Sequence, residues 1–573
     1  MSFLYFYKID IIKKYMPMIT RKIFLSLVAF FVGAGTAMPC TNLIVTKGAS
    51  KDGSVIVSYS ADSHQLFGEL YFWPAAEWAE GTILKIYEWD TGKYMGEIPQ
   101  ARRTYSVTGN MNEYQLLIGE TTFGGRSEFN DPTAMMDYGS LIYLALQRCK
   151  TAREAILLID NLMQTYGYAS SGESFSIADP DEVWIMEIMA KAPRMVEGVN
   201  VNKGAVWAAR RIPDGYISGH ANQARITNLD FDDPDNCLYS PDVISHAREM
   251  GIFSGKDKDF SFSDVYAPVD FGAARACDAR IWAYFNRFAD GMDKYLDYAM
   301  GHNLTNRMPL YVKPNVKLSF RDVAGMMRDH FEGTPMDMTC DIGAGSNALP
   351  YRWRPMSFEV DGKTYVNERA ISTQQTGWWF VGQCRSDLPR DLGGLYWFGV
   401  DDAGTSALIP FYSVSQRVPR CIEEGNGSML EYSETSLFWI VNRVAQFAYL
   451  RYNQTGAEVR NVVDAWENEM VEKTAHIDQI ALTLYKQDHA LAREFLTDFS
   501  VNAAQELFDK WVELDKYLMV KYIDGNIKHQ NPDGSFTNNG NSVRIPKSPI
   551  SGGQTQKWKE AVVKDNGTIL ESR

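Results

Sequence analysis

Between Thr41 and Arg211 the chain returns repeatedly to one pattern: a short β-rich run, a turn cluster, and a second β-rich run. "TNLIVT" and "SVIVSYSA" flank "KGASKDG", "TYSVTGN" and "YQLLIGETT" flank "MNE", and "SFSIAD" and "VWIMEI" flank "PDE", with "AVWAARR" following. Short apolar runs bounded by Gly, Asp and Asn predict successive antiparallel hairpins of a sheet. A chain built this way must find something to cover that sheet.

The cover is also legible. "DYGSLIYLALQRC" and "TAREAILLIDNLMQTYG" predict two helices. The second opens on Thr151 with Glu154 three residues on, a capping box, and its apolar positions Ile156, Ile159, Leu162 and Met163 fall on one face. Helical patterning returns between about 280 and 332, β patterning from about 365 to 413, and helix again from about 432 to 522. "SLFWIVNRVAQFAYLRY" is apolar around much of its circumference, which predicts a helix buried between layers. Residues 523–573 turn polar and Gly/Asn-rich and read as a loosely packed tail. Strands, helices, strands, helices make an α+β chain with helices over sheets.

The N-terminus carries a different message. Lys13, Lys14, Arg21 and Lys22 precede "IFLSLVAFFVGAGTA", an apolar run too short to span a bilayer comfortably and ending in small residues. Residues 1–37 therefore read as a signal peptide cut after Ala37, with an uncleaved anchor as the alternative, and translation starting at Met1, Met16 or Met18. No other stretch is apolar enough to cross a membrane, so the expectation is an exported protein, periplasmic or extracellular, free of the membrane after cleavage. The formal charge is −14 over 573 residues, and the first 37 carry five basic residues and one acidic, so the remainder is more acidic still. Such a chain has no electrostatic footprint for nucleic acid or anionic lipid. Its seven cysteines are scattered without CxxC pairs, and its eight histidines form no HExxH, so no metal site is expected.

An odd cysteine count leaves at least one thiol unpaired, and Cys40 stands out, where the leader ends and the first strand begins. Three readings compete: a lipidated cysteine at a lipoprotein cleavage site, a structural or disulfide cysteine, and a nucleophile that becomes the first residue of the mature chain. Lipidation needs a small residue before the cysteine, and here it is Pro39. The third reading has a physical logic. A free thiol is barely ionised at neutral pH, and an N-terminal cysteine carries its own base, an α-amine of pKa about 8. No histidine stands in a setting that marks a general base. Asp62, at the end of the partner strand, is placed to hold the amine.

The stretch from Cys40 to Asp62, "CTNLIVTKGASKDGSVIVSYSAD", resembles the start of the N-terminal-nucleophile cysteine dipeptidases of the dipeptidase A type, distant relatives of secernins and penicillin V acylase. The blocks "GETTFGG", "SFSIADPDEVWIMEI", "WAARRIPDGYISGHANQARI", "HFEGTPMD", "GGLYWFGVDDA" and "VNRVAQFAYLRY" extend the resemblance from residue 40 to about 520. It implies a four-layer αββα N-terminal-nucleophile sandwich with additional C-terminal helices over 40–522. It also implies a two-residue pro-segment, 38–39, removed to free Cys40.

The roles it implies follow residue by residue. Cys40 is the nucleophile, Asp62 holds its amine, and Asn222 stabilises the oxyanion. Thr121 is a second donor to the substrate, and Arg225 binds a substrate carboxylate or serves as a structural ion-pair partner. The related enzymes usually carry an arginine two or three residues before the acidic position; Tyr59, Ser60 and Ala61 stand here instead, so that role is unfilled or supplied elsewhere. The implied activity is hydrolysis of dipeptides or very short peptides through an acyl-thioester, with no cofactor, as a monomer or a homo-oligomer. An acylase of the same mechanism acting on non-peptide amides, and an exported surface lipoprotein or binding protein lipidated at Cys40, are the alternatives.

Overall fold

The computed structural model describes residues 40–353 and 356–572. The expected signal peptide and pro-segment lie outside the described residues. The fold is α+β, and among the described residues fifteen strands form two large antiparallel sheets. In chain order the strands are β1 Thr41–Val45, β2 Val55–Asp62, β3 Phe72–Trp73, β4 Val107–Thr108, β5 Met111–Asn112, β6 Leu117–Gly124, β7 Gly172–Ala178 and β8 Val183–Ala190. They continue as β9 Ala205–Arg211, β10 Ile217–His220, β11 Cys237–Tyr239, β12 Tyr311–Val312, β13 Thr376–Cys384, β14 Gly394–Val400 and β15 Ile409–Tyr412. The first sheet runs β12-β10-β1-β2-β13-β14-β15, and the second β11-β9-β8-β7-β6-β5-β4-β3.

The first hairpin forms in the expected place, with Thr41 opposite Ser60 and Val45 opposite Ile56. Gly53 supplies the positive φ of 75° in its connection, a conformation that costs glycine nothing. The second expected hairpin differs. "MN" is itself a strand, Thr108 pairs with Met111, and Met111 pairs on its other side with Leu117. The turn comes later, at Gln115 with φ 66°, and the result is a tight meander. The third hairpin pairs Phe175 with Met186, and "AVWAARR" adds alongside, with Met186 opposite Ala209. The pattern reads as one sheet, but the first hairpin belongs to one sheet and the others to the second. Local alternation sets the strand and its pairing; which sheet a hairpin joins is set by long-range packing.

The sheets meet where β6 crosses β1 and β2. Gly119 is the point of closest approach: a methyl group there would lie 2.2 Å from Asn42 Oδ1 and 3.5 Å from Tyr59 Cβ. Asn42 uses its amide to donate to the Glu120 carbonyl at 2.6 Å, tying the sheets together by a buried hydrogen bond.

Helices α1 (Tyr138–Arg148) and α2 (Ala152–Tyr166) pack on the second sheet, α2 against β7, β8 and β9. Ile156, Ile159, Leu162 and Met163 are buried as their spacing predicts. Thr151 caps α2 by accepting the Glu154 N–H, but the Glu154 carboxylate reaches the Lys150 N–H at 2.7 Å instead of closing the box on Thr151. Helix α3 (Ala279–Phe288) packs on β1 and β10, and α4 (Phe320–Met326) on β2 and β13. The C-terminal helices are α5 (Leu437–Leu450), α6 (Tyr452–Tyr485) and α7 (His489–Tyr522), with α7 against β15. Helix α5 buries Leu437, Phe438, Val441, Val444 and Ala448, while Arg443, Gln446 and Leu450 face solvent; it has one wet side and is not enclosed on all sides. Beyond α7 lie short bridges and a helix over Gln556–Asn566, and the Thr555 N–H donates to the Ser346 carbonyl at 2.9 Å. Among the described residues no helix is long and apolar enough to cross a membrane.

Gly119→Ala should force the two sheets apart or displace Asn42 from its bond. The expected cost is about 1–3 kcal/mol, the range for overpacking a tight core. Urea unfolding of the variant beside the wild type measures it.

Candidate active site

Cys40 enters β1 directly, and its side chain is buried at 1% exposure. Its sulfur lies 3.7 Å from the Tyr59 hydroxyl. Tyr59 donates its single hydrogen to Glu120 through a very short bond, so it accepts from the thiol. Burial pushes the Cys40 thiol well above its ordinary range, the Glu120 and Asp62 charges push it further, and the Asp62 backbone N–H and the Tyr59 hydroxyl pull the other way. In this chain the Cys40 nitrogen is tied in the peptide bond from Pro39, and the thiol stays protonated at neutral pH.

Asp62 is fully buried at the end of β2, where a bulge sets it opposite Thr376. Arg369 donates to its Oδ2 at 2.5 Å, Thr376 to its Oδ1 at 2.7 Å and Ser60 to its Oδ2 at 3.0 Å. Burial raises its pKa, and Arg369 and Thr376 work against that rise.

Asn222 sits in the loop after β10 with φ 61°, a left-handed conformation that asparagine tolerates better than most residues. Its Nδ2 donates to the Thr122 carbonyl at 2.7 Å, and its Oδ1 accepts from Arg280 at 2.9 Å. Glu187 on β8 clamps the same loop by accepting the Arg225 and Ile226 N–H groups. Burial pushes Glu187 up to about 7, against the pull of those N–H groups.

Arg280, on α3, joins the cluster. It is buried at 1% exposure and donates to the Cys40 carbonyl at 2.5 Å, the Thr41 hydroxyl at 2.8 Å, the Ala221 carbonyl at 3.0 Å and Asn222. Burial and the like charge of Arg369 pull its pKa down to about 10. Two arginines thus approach the cysteine and the aspartate from chain positions 240 and 307 residues away, where the local sequence offers only Tyr59, Ser60 and Ala61.

The two residues expected to contact substrate have other partners. Thr121 is bonded through its hydroxyl to His220 Nδ1 at 2.7 Å, and His220 Nε2 bonds Ser176 at 2.7 Å. Burial first, then Arg225, holds His220 down to about 3, so it is neutral. Arg225 spends its guanidinium on the Gly219 carbonyl at 2.6 Å, the Pro309 carbonyl at 2.7 Å and an ion pair with Asp278 at 3.5 Å. Of the two roles open to Arg225, these contacts fit the structural ion pair. Cys40, Asp62 and Asn222 form one cluster with Arg280 and Arg369; Thr121 and Arg225 belong to the packing behind it.

Comparison with known proteins identifies the chain at this point. The model of peptidase family C69 matches residues 68–465. The chain belongs to peptidase family C69. The matched span holds Glu120, Thr121, Asn222, Arg225, Arg280 and Arg369, while Cys40, Tyr59 and Asp62 precede it. Among relatives, a "Probable dipeptidase" of Latilactobacillus sakei is 22% identical over 84% of this chain and 97% of its own length. A "Probable dipeptidase B" of Streptococcus pyogenes serotype M1 is 22% identical over 88% and 97%, and "Dipeptidase A" of Lactobacillus helveticus is 22% identical over 82% and 93%.

The residues that sequence reasoning passed over in this C69 chain are Tyr59, Glu120, Glu173, Arg280 and Arg369. The glutamates left a signal: each is an acid inside a strand otherwise built to be buried, which demands a partner or a purpose. The arginines left none, because nothing nearby in the chain marks their target.

Removing Arg369 alone strands a buried carboxylate. Arg369→Met should cost about 3–5 kcal/mol, the usual penalty for breaking one side of a buried pair. Adding Asp62→Asn should recover part of that loss, and denaturant unfolding of both variants checks the pair.

Proposed function

We propose that this C69 peptidase is an exported cysteine dipeptidase that acts from a newly exposed N-terminal Cys40. The observation that carries the reading is the arrangement around Cys40, the residue immediately before β1. The thiol lies among Tyr59, Asp62 and Glu120, while Arg280 grips both the Cys40 carbonyl and the Asn222 amide. The names and coverage of the relatives support a dipeptidase, and the two facing sheets with helices packed on each support a four-layer αββα sandwich.

On this reading the leader leaves after Ala37 and a second cut removes Met38-Pro39. The freed α-amine takes the thiol proton, and the sulfur attacks the scissile carbonyl. Arg280 keeps the nucleophile's own carbonyl and Asn222 in fixed relation, so the oxyanion forms beside the Asn222 amide. Collapse breaks the C–N bond, and the departing amine takes a proton from the α-ammonium. Water then attacks the thioester, giving up its proton to the same amine, and the C–S bond breaks to return the Cys40 sulfur and release the acyl half as a carboxylic acid. Asp62, anchored by Arg369, holds the amine in place. The steps call for no metal and no cofactor.

Charged groups around the thiol favour a peptide over an apolar acyl amide as substrate. Burial of the Cys40 sulfur inside the domain speaks against lipidation, since a diacylglycerol adduct needs room at a free terminus. All seven cysteines are free thiols, which leaves Cys40 out of any disulfide.

Intact sequencing of the mature protein should begin at Cys40, and Cys40→Ala should abolish dipeptide hydrolysis. Asn222→Ala should lower kcat by about 100- to 1,000-fold, the range for loss of one oxyanion donor. Full activity in the Cys40 variant, or a lipid on Cys40 by mass spectrometry, would reject the reading.

A further inference from the structure

Tyr59 touches the sulfur, and the steps set out above give it nothing to do. It stands on β2 and reaches across to Glu120 on the second sheet. Its ring is held edge-on to Trp378 at 5.0 Å and tilted against Phe380 at 5.7 Å. That packing fixes the hydroxyl oxygen 3.7 Å from Cys40 Sγ and in a short bond to Glu120. Only the hydroxyl hydrogen is left to change partners.

A thiolate at Cys40 needs hydrogen-bond donors, because a buried anion without them is costly. The side chains around the sulfur are mostly spent or of the wrong sign. Asp62 and Glu120 are acids, and Glu120 itself lies within hydrogen-bond reach of the thiol. Arg280 has five N–H groups and bonds five oxygens: the Cys40, Ala221 and Ala276 carbonyls, the Thr41 hydroxyl and Asn222 Oδ1. Arg369 donates to Asp62 and to the Ala370 and Ile371 carbonyls. Tyr138 gives its hydrogen to Asp90 at 2.7 Å. The groups in place to serve the sulfur are the Asp62 backbone N–H and the Tyr59 hydroxyl.

Tyr59 serves it only if Glu120 lets go of the hydrogen. Glu120 and Glu173 share a side-chain hydrogen bond, and two buried carboxyls side by side do so by holding one proton between them. Burial raises both, Glu120 to about 7. With the proton on Glu120, its neutral carboxyl competes for the Tyr59 hydrogen against a full negative charge on sulfur, and the charged acceptor wins. While the thiol is intact the order is reversed, and Tyr59 donates to Glu120.

We propose that Tyr59 is a catalytic residue whose hydroxyl swings its hydrogen from Glu120 to the Cys40 sulfur as the thiolate forms, with Glu120 as its positioning residue. This rests on the cysteine-peptidase reading and deepens it. The S–H bond breaks and its proton passes to the α-amine; Tyr59 keeps its own hydrogen throughout. When the sulfur attacks, its charge moves to the oxyanion and the Tyr59 hydrogen returns to Glu120.

The test follows alkylation of Cys40 by iodoacetamide against pH in the mature protein, with the Cys40 peptide read by mass spectrometry. Tyr59→Phe keeps the ring and removes the donor. Its midpoint should rise by about one to two on the pH scale, the size of one hydrogen bond to a charged group. Glu120→Gln removes a like charge and the rival claim on the hydrogen, so its midpoint should fall. A less stabilised thiolate is a stronger nucleophile, which returns about half the loss on a logarithmic scale. Tyr59→Phe should therefore lower kcat for Ala-Ala about 3- to 10-fold, with KM within twofold. Tyr412→Phe is the control: it removes another buried tyrosine bond to a carboxylate, at Asp478, three strands from β2 in the same sheet. Its midpoint should match the wild type. An unmoved midpoint in Tyr59→Phe, or an equal rise in Tyr412→Phe, overturns the assignment and leaves the peptidase reading standing. Should Tyr59→Phe fail to fold, Glu120→Gln decides, and a midpoint unmoved or raised there overturns it. A wild type that cleaves no dipeptide overturns the peptidase reading itself, and the catalytic role of Tyr59 with it.

Discussion

One buried guanidinium organises the region around Cys40. Arg280 comes from α3 and takes hold of Cys40 just before β1, the Thr41 hydroxyl that opens the strand, and the loop that follows β10. It fixes a backbone carbonyl next to the thiol and an asparagine in a left-handed conformation in one set of bonds. An ion buried this deeply is tolerated only because the polar atoms around it take up its donors. The geometry of the cysteine cluster is therefore inseparable from the packing of α3 on β1 and β10.

Charge around the cysteine divides into two kinds. Asp62 and Asp278 are answered by arginines and Glu187 by backbone N–H groups, and these pairings hold loops and strand ends in place. Glu120 and Glu173 instead share a side-chain hydrogen bond with each other, beside a short bond from Tyr59 to Glu120. Structural acids in this domain come with their partners built in. Glu120, which Tyr59 links to the sulfur, is held by hydroxyl and carboxyl groups with no cation beside it among the described residues, and that difference marks it out in a site dense with ionisable groups.

Much of the framework was legible in the chain. The β1–β2 and β7–β8 hairpins, the α2 face and the C-terminal helices follow from alternation, turn residues and helical spacing, all of which act over a few residues. The meander at Met111 was missed because a two-residue strand leaves almost no periodic signal, and its turn rests on Gln115 in a left-handed conformation that its residue type does not advertise. Cys40, Asp62 and Asn222 could be picked out because each sits in a motif or at a strand boundary. The family resemblance points to Thr121, whereas its neighbour Glu120, an acid in a buried strand, carries the stronger physical signal.

What the sequence determined by itself was local: where strands and helices lie, and that a cysteine stands just before the first strand. Tertiary structure alone decided which hairpin joins which sheet and which cations face the cysteine and Asp62. It also decided that Arg225 is spent on carbonyls and an ion pair while Glu120 and Glu173 are brought together as a pair. The reason is range. Backbone preference and amphipathic spacing are written within one turn or one strand, whereas a buried charge finds its partner across hundreds of residues, and only the packing of the two sheets brings them within a hydrogen bond of each other.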